Sequence, residues 1–375
     1  MPSMEKMGKS TAHPANRRGG EMPETINERS LYRFLEANAR MSPSAPAYRA
    51  KLRGVWKTWS WVEVLDEVVS LHQLLDAAGV RGGDLVGISG ECNPRLYWYV
   101  LALQRAAAVP VLLNSRASQR EFHRAYEKAE FSVFIAGTES EVDVAVQTRP
   151  KCPKLRLVLV LDRGLETDTH DGFVSREDDL AVGNSIHTGL DLVERPDPRA
   201  VVLCGYDEAG ESLLVVWSHA AALKAAMQFA SLAGLRPTDQ LVTFLPVAWF
   251  GDYLQFSAAL IKGALVSSAE NAATVSQDMQ RLAPDVLFAP VATYRKMLGS
   301  DRGRYQTLWT PGWLASRDVE ILGCAWASQK PHSPMACWGG VPITAQEYRW
   351  PFKDQARFLC GRCVASRARE LLCSA

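Results

Sequence analysis

Seven short apolar runs punctuate this chain, and their spacing constrains its fold more than any other feature. They lie at residues 109–113, 133–136, 155–161, 200–203, 241–245, 264–267 and 286–289. Stretches with helical periodicity, such as 220–233 and 274–283, separate several of them. Runs this short, rich in Val, Ile and Leu, predict strands buried on both faces. Strands alternating with helices are the βαβ signature of an α/β fold, with mixed or parallel sheets flanked by helices. A chain of 375 residues, 47% of them apolar, can bury a sizeable core and is expected to hold more than one subdomain.

Local signals agree with that reading. In Trp59-Ser60-Trp61-Val62-Glu63-Val64, Ser60 and Glu63 have the spacing of a capping box. Trp61, Leu65, Val68, Leu71 and Leu75 then recur at helical spacing until Gly79 stops the helix. The segment Gly79 to Ile88 reads as a turn and a strand, and Asn93-Pro94 opens the next helix. Further on come Phe244-Leu245-Pro246-Val247-Ala248-Trp249-Phe250-Gly251-Asp252, then Glu270, Thr274, Asp278 and Ala283-Pro284-Asp285, then Phe288-Ala289-Pro290.

In order and spacing these segments resemble the adenylate-forming superfamily, and within it the bacterial long-chain fatty acyl-CoA ligases. The resemblance covers about residues 28–298. It implies the N-terminal subdomains of the adenylate-forming fold over 25–298, truncated and without the C-terminal lid. It also implies ATP, magnesium and coenzyme A as cofactors, a fatty acid as substrate, and possible peripheral contact with a membrane. Trp249 and Gly251 fall at the acyl or adenylate pocket of the family. The plain alternative for Trp249 is a core tryptophan at a strand end.

The family's phosphate loop reads approximately Tyr-Thr-Ser-Gly-Thr-Thr-Gly-x-Pro-Lys-Gly-Val before Ser-His. Here the aligned stretch is Gly205-Tyr206-Asp207-Glu208-Ala209-Gly210, and Leu213 stands where the lysine belongs. Gly205, Gly210, Ser218 and His219 are the vestigial nucleotide-binding positions. Phosphate loops work by converging N–H groups, hydroxyls and a cation on oxyanions. A carboxylate about 4 Å from a phosphate charge costs on the order of 4 kcal/mol at an effective dielectric near 20. The bland reading of this stretch is an acidic hairpin turn between two strands, 200–203 and 213–217. The family's Pro-Pro-Arg is also altered, to Pro290-Val291-Ala292.

Past Leu298 the motifs stop. Residues 299–375 contain five of the eight cysteines and five of the eleven tryptophans, broken up by prolines and without sustained periodicity. The family's adenine, ribose and lid segments have no counterpart there, so no catalytic residue carries over. The stretch is expected to be an atypical tail, disordered or read in a shifted frame. Its Cys360-Gly361-Arg362-Cys363 has zinc or redox spacing but lacks a second half, so no metal site is assigned.

A formal charge of +1 gives no case for a nucleic-acid partner. Residues 1–24 are polar and read as a flexible extension, and no run has the length of a membrane span. A cytoplasmic location with reduced thiols is the corresponding expectation. Three functional readings stand: a ligase forming an acyl-adenylate and then acyl-CoA, a non-catalytic module binding an acyl chain or a partner, or a decayed fragment.

Overall fold

The computed structural model describes residues 30–91, 93–161, 172–180, 198–206, 212–271, 273–289, 319–322 and 356–360. The 1–24 extension, Gly210, Cys363 and most of the tail lie outside these. The chain opens with α1 (Leu31–Met41), a hairpin of β1 (Pro46–Leu52) and β2 (Val55–Ser60), and α2 (Trp61–Ala77). Next come β3 (Leu85–Ser89), α3 (Pro94–Arg105), β4 (Val109–Leu113), α4 (Gln119–Ala129), β5 (Val133–Ala136), α5 (Glu139–Thr148) and β6 (Leu157–Val160). Then follow β7 (Val174–Arg176), β8 (Arg199–Tyr206), β9 (Ser212–Ser218), α6 (His219–Leu232) and β10 (Gln240–Thr243). The last elements are α7 (Phe250–Lys262), β11 (Leu265–Ser268), α8 (Val275–Leu282), β12 (Val286–Ala289), β13 (Val319–Leu322) and β14 (Ala356–Cys360).

The strands form two seven-stranded sheets. One has the order β7-β6-β5-β3-β4-β8-β9 and is parallel except for β9; the other runs β13-β14-β12-β10-β11-β1-β2 and is parallel except for β2. Alternating side chains explain why the central strands are apolar throughout. Leu112, Val133, Ile135, Leu157 and Leu159 join a core that links both sheets through α1, α2, α3, α6 and α7. Their neighbours Val111, Phe134, Ala136, Val158 and Val160 face a second core under α4 and α5. With both faces covered, an alternating polar residue has no place, and the continuous apolar run is the only pattern available.

The Ser60–Glu63 capping box closes as the spacing predicts, with reciprocal bonds at the start of α2. Two elements depart from the sequence reading. Between β6 and β8, where no apolar run predicts a strand, β7 is followed by a 3-10 turn whose buried Glu177 is gripped by Arg95 at 2.6 Å and by the Tyr99 hydroxyl at 2.8 Å. A three-residue strand in an acidic context leaves no periodic signal, and its anchors lie on α3. Within 299–375, where no periodicity is visible, β14 pairs in parallel with β12, and β13 with β14.

Candidate active site

Open α/β sheets bind ligands at the carboxyl ends of strands where the winding direction reverses. In the first sheet the reversal falls between β3 and β5, because β4 lies on one side of β3 and β5 on the other. That crevice is filled by the protein itself. A Cβ on Gly137 would lie 3.1 Å from the Gly90 Cα, so the two backbones close on each other. Glu141 accepts hydrogen bonds from Ser89 Oγ (2.9 Å) and from the N–H groups of Gly137 (2.7 Å) and Thr138 (2.9 Å). Burial raises its pKa, and these bonds offset part of the rise.

In the second sheet the reversal falls between β10 and β12. The loop leaving β10, residues 244–249, carries the Leu-Pro motif and crosses to the first sheet. Val247 N–H donates to the Gly90 carbonyl at 3.1 Å, and Glu91 bridges Pro246. The motif therefore stitches the carboxyl edges of the two sheets together. Trp249 is buried at the start of α7, its ring 5.2 Å from that of Phe288 on β12. Gly251 fits beneath that ring: an added Cβ would lie 2.2 Å from Trp249 Cη2 and 2.6 Å from Phe288 Cε1. Trp249 and Gly251 thus come together against Phe288 at the start of α7.

The remaining candidate positions lie on the hairpin. Gly205 pairs with Leu213 across β8 and β9, so the position of the family's lysine is a ladder residue. Ser218 caps α6, its hydroxyl accepting from Ala221 N–H at 3.1 Å. His219 is buried as the first residue of α6, with its N–H on the Pro198 carbonyl at 3.0 Å. At the same edge, Ser115 donates to Glu91 at 2.5 Å and Arg116 lies 3.5 Å from that carboxylate. Glu91 thus takes Ser115 and Arg116 as partners, while Glu141 is held by Ser89, Gly137 and Thr138. No group of three or more metal-ligating side chains occurs among the described residues, and none of their helices is long and apolar enough to cross a membrane.

Two polar clusters inside the motifs escape sequence reasoning because their partners are remote. Asp278 is buried and accepts from Lys51 Nζ (3.0 Å), Thr274 Oγ (2.7 Å) and Glu270 N–H (3.1 Å), so the Glu-Thr-Asp series is a clamp on β1. Asp252, almost fully buried, accepts from the Tyr97 hydroxyl of α3 and from Gln255 Nε2 at 2.7 Å.

Two facing α/β sheets, joined by a motif loop and carrying a strand-turn-strand before a capped helix, define the architecture of an adenylate-forming N-terminal domain. The family model for AMP-binding enzymes matches residues 35–350, and the chain belongs to that family. The match runs past Leu298, where recognisable motifs end. No curated protein matches the chain. Among solved structures, a protein described as a long-chain-fatty-acid CoA ligase from Rhodopseudomonas palustris superposes with a TM-score of 0.63 at 18% identity, covering 79% of this chain and 70% of that one. The anthranilate CoA ligase AuaEII in complex with anthranoyl-AMP gives 0.63 at 16% identity, covering 75% and 54%. The N-terminal subdomain of Klebsiella oxytoca NpsA in complex with 3-hydroxybenzoyl-AMSN gives 0.56 at 16%, covering 72% and 62%. The chain thus spans less than two thirds of the latter two, and at these identities the likeness concerns the fold.

Proposed function

We propose that this chain is a non-catalytic member of its family: it keeps the acid-side framework of a long-chain fatty acyl-CoA ligase and does not activate an acid with ATP. The observation that carries the reading is the β8–β9 hairpin, where Leu213 pairs with Gly205 at the lysine position and Ser218 is engaged as a helix cap. In sequence, Gly205, Tyr206, Glu208 and Ala209 replace the family's four hydroxyl residues, and Asp207 and Glu211 add two further carboxylates. Phosphoryl transfer depends on positioned donors and cations that stabilise developing negative charge. A hairpin offering carboxylates and a leucine opposes that charge, and the surrounding edge adds Glu91 and Glu141.

The long-chain class rests on the motif series from Phe244 to Pro290, and the retained role is holding an acyl ligand or a partner at the loop that joins the sheets. Incubation with ATP, magnesium, a long-chain fatty acid and coenzyme A tests the proposal. No pyrophosphate release and no thioester above buffer is the expected result; steady turnover by the unaltered chain overturns it. Titration with a fluorescent long-chain fatty acid then separates an acyl-binding module from a partner-binding one.

A further inference from the structure

Asp252 is a carboxylate sealed between two helices with only neutral donors upon it. It is 1% exposed, one oxygen faces the Tyr97 hydroxyl, and the other faces Gln255 Nε2 at 2.7 Å. Tyr97 also stacks on Phe256, with ring centroids 4.4 Å apart, so the polar contact sits inside an aromatic seam between α3 and α7. α3 is the crossover of the first sheet and α7 that of the second, which makes this seam part of the junction between them.

The charged and titratable groups on the elements around the seam have other partners or lie elsewhere on those elements, with Tyr253 and Lys262 on α7 itself. On α3, Arg95 and Tyr99 bind Glu177, and Arg105 binds Tyr32 of α1. Also on α1, Arg33 pairs with Glu36, and Arg40 lies in the last turn. α6, packed against α7, carries His219 and Lys224, while β10, β11 and β12 carry no titratable side chain. Burial pushes the Asp252 carboxyl up to about 7; the bonds from Tyr97 and Gln255 pull against it, and no charge contributes. Gln255 Oε1 is buried without a hydrogen-bond partner. A half-turn of that amide would let it accept the proton of a neutral Asp252, whereas the ionised carboxylate has two neutral donors in place of its water and no cation, so the closed cluster favours the neutral acid.

We propose that Asp252, Tyr97 and Gln255 form a proton-operated latch between α3 and α7, held tightest while Asp252 is protonated and loosened as the proton is lost. The latch does not depend on the functional reading above. Its mechanical output is the loop at 244–249, which leads directly into α7 and is held to Gly90 and Glu91 at its other end. Opening the seam frees the element that stitches the sheets together.

The sign follows from linkage. The closed state keeps its proton to a higher pH than an open state in which Asp252 meets water. Opening therefore rises about tenfold per pH unit from pH 5 to about 7 and then levels off. Hydrogen exchange of the α3 and α7 peptides, corrected for intrinsic rates, measures this on the unaltered chain. Asp252→Asn should flatten the profile, and Tyr97→Phe, which removes a donor to the carboxylate, should move the plateau to higher pH. An infrared carbonyl band of a protonated carboxylic acid should titrate in the same range and be missing from Asp252→Asn. Exchange in the unaltered chain that is independent of pH, or an Asp252→Asn profile that follows it, overturns the proposal. The unaltered chain alone decides the question if a variant fails to fold.

Discussion

Replacing Gly251 by alanine tests how tightly the motif loop is packed. The new methyl carbon would sit 2.2 and 2.4 Å from two ring atoms of Trp249 and 2.6 Å from Phe288. Carbon atoms rest about 3.5–4 Å apart, so the ring must retreat by more than about 1 Å. Neither ring has room to give: Phe288 is fully buried against Phe229 and Trp249, and Trp249 is 6% exposed. Overpacking of this kind costs about 1–3 kcal/mol, while alanine in place of glycine near a helix start returns up to about 1 kcal/mol. The net loss is about 1–2 kcal/mol, read as a lower urea midpoint at constant slope. Trp249→Phe removes the clashing part of the indole, so the double variant should lose less than the sum of the two singles. Gly251→Ala with a midpoint equal to or above that of the parent would show that the ring is not seated over the glycine.

Ser218→Ala should cost about 1 kcal/mol in urea unfolding and Ser218→Asp should restore most of it, since either side chain can cap α6; equal stability of all three would deny the cap. Asp278→Ala strands Thr274, Lys51 and the Glu270 N–H and should cost about 1–3 kcal/mol. Burial pushes the Asp278 carboxyl up, but the bonds from Thr274, Glu270 and Lys51 prevail and hold it below its ordinary value. Its contribution is therefore present above the unfolded carboxylate range and lost as pH falls through the lowered folded value, opposite in sign to Asp252. An acid-unfolding curve that Asp278→Asn leaves unchanged would contradict this. Leu213→Lys should yield no acyl-CoA, since one cation does not replace the missing hydroxyls; detectable thioester from that variant refutes the reasoning.

The sequence makes legible what depends on local chemistry. The strand runs at 109–113, 133–136 and 286–289 are found with those bounds, because a strand buried on both faces leaves an unbroken apolar signature. The Ser60–Glu63 cap and the β8–β9 hairpin are equally local. The β1–β2 hairpin is not marked, because its turn is Arg53-Gly54, both at positive φ, in place of the usual Asn-Gly. The polar clusters are invisible for a different reason: Lys51 meets Asp278 across 227 residues and Tyr97 meets Asp252 across 155. A sequence shows that Asp252 follows Gly251 in a motif, and only the packed helices show that it faces a tyrosine and no cation. Trp249 illustrates the limit at the site, since only the fold shows Phe288 and Gly251 against it.

The most direct test of the central claim is calorimetric titration of the folded chain with magnesium-ATP, with circular dichroism confirming the fold beforehand. No heat of binding up to millimolar nucleotide is the predicted result, because the sequence carries carboxylates and Leu213 at positions where the family has donors and a cation. Saturable binding at micromolar strength would contradict the account and return the chain to the catalytic members of its family.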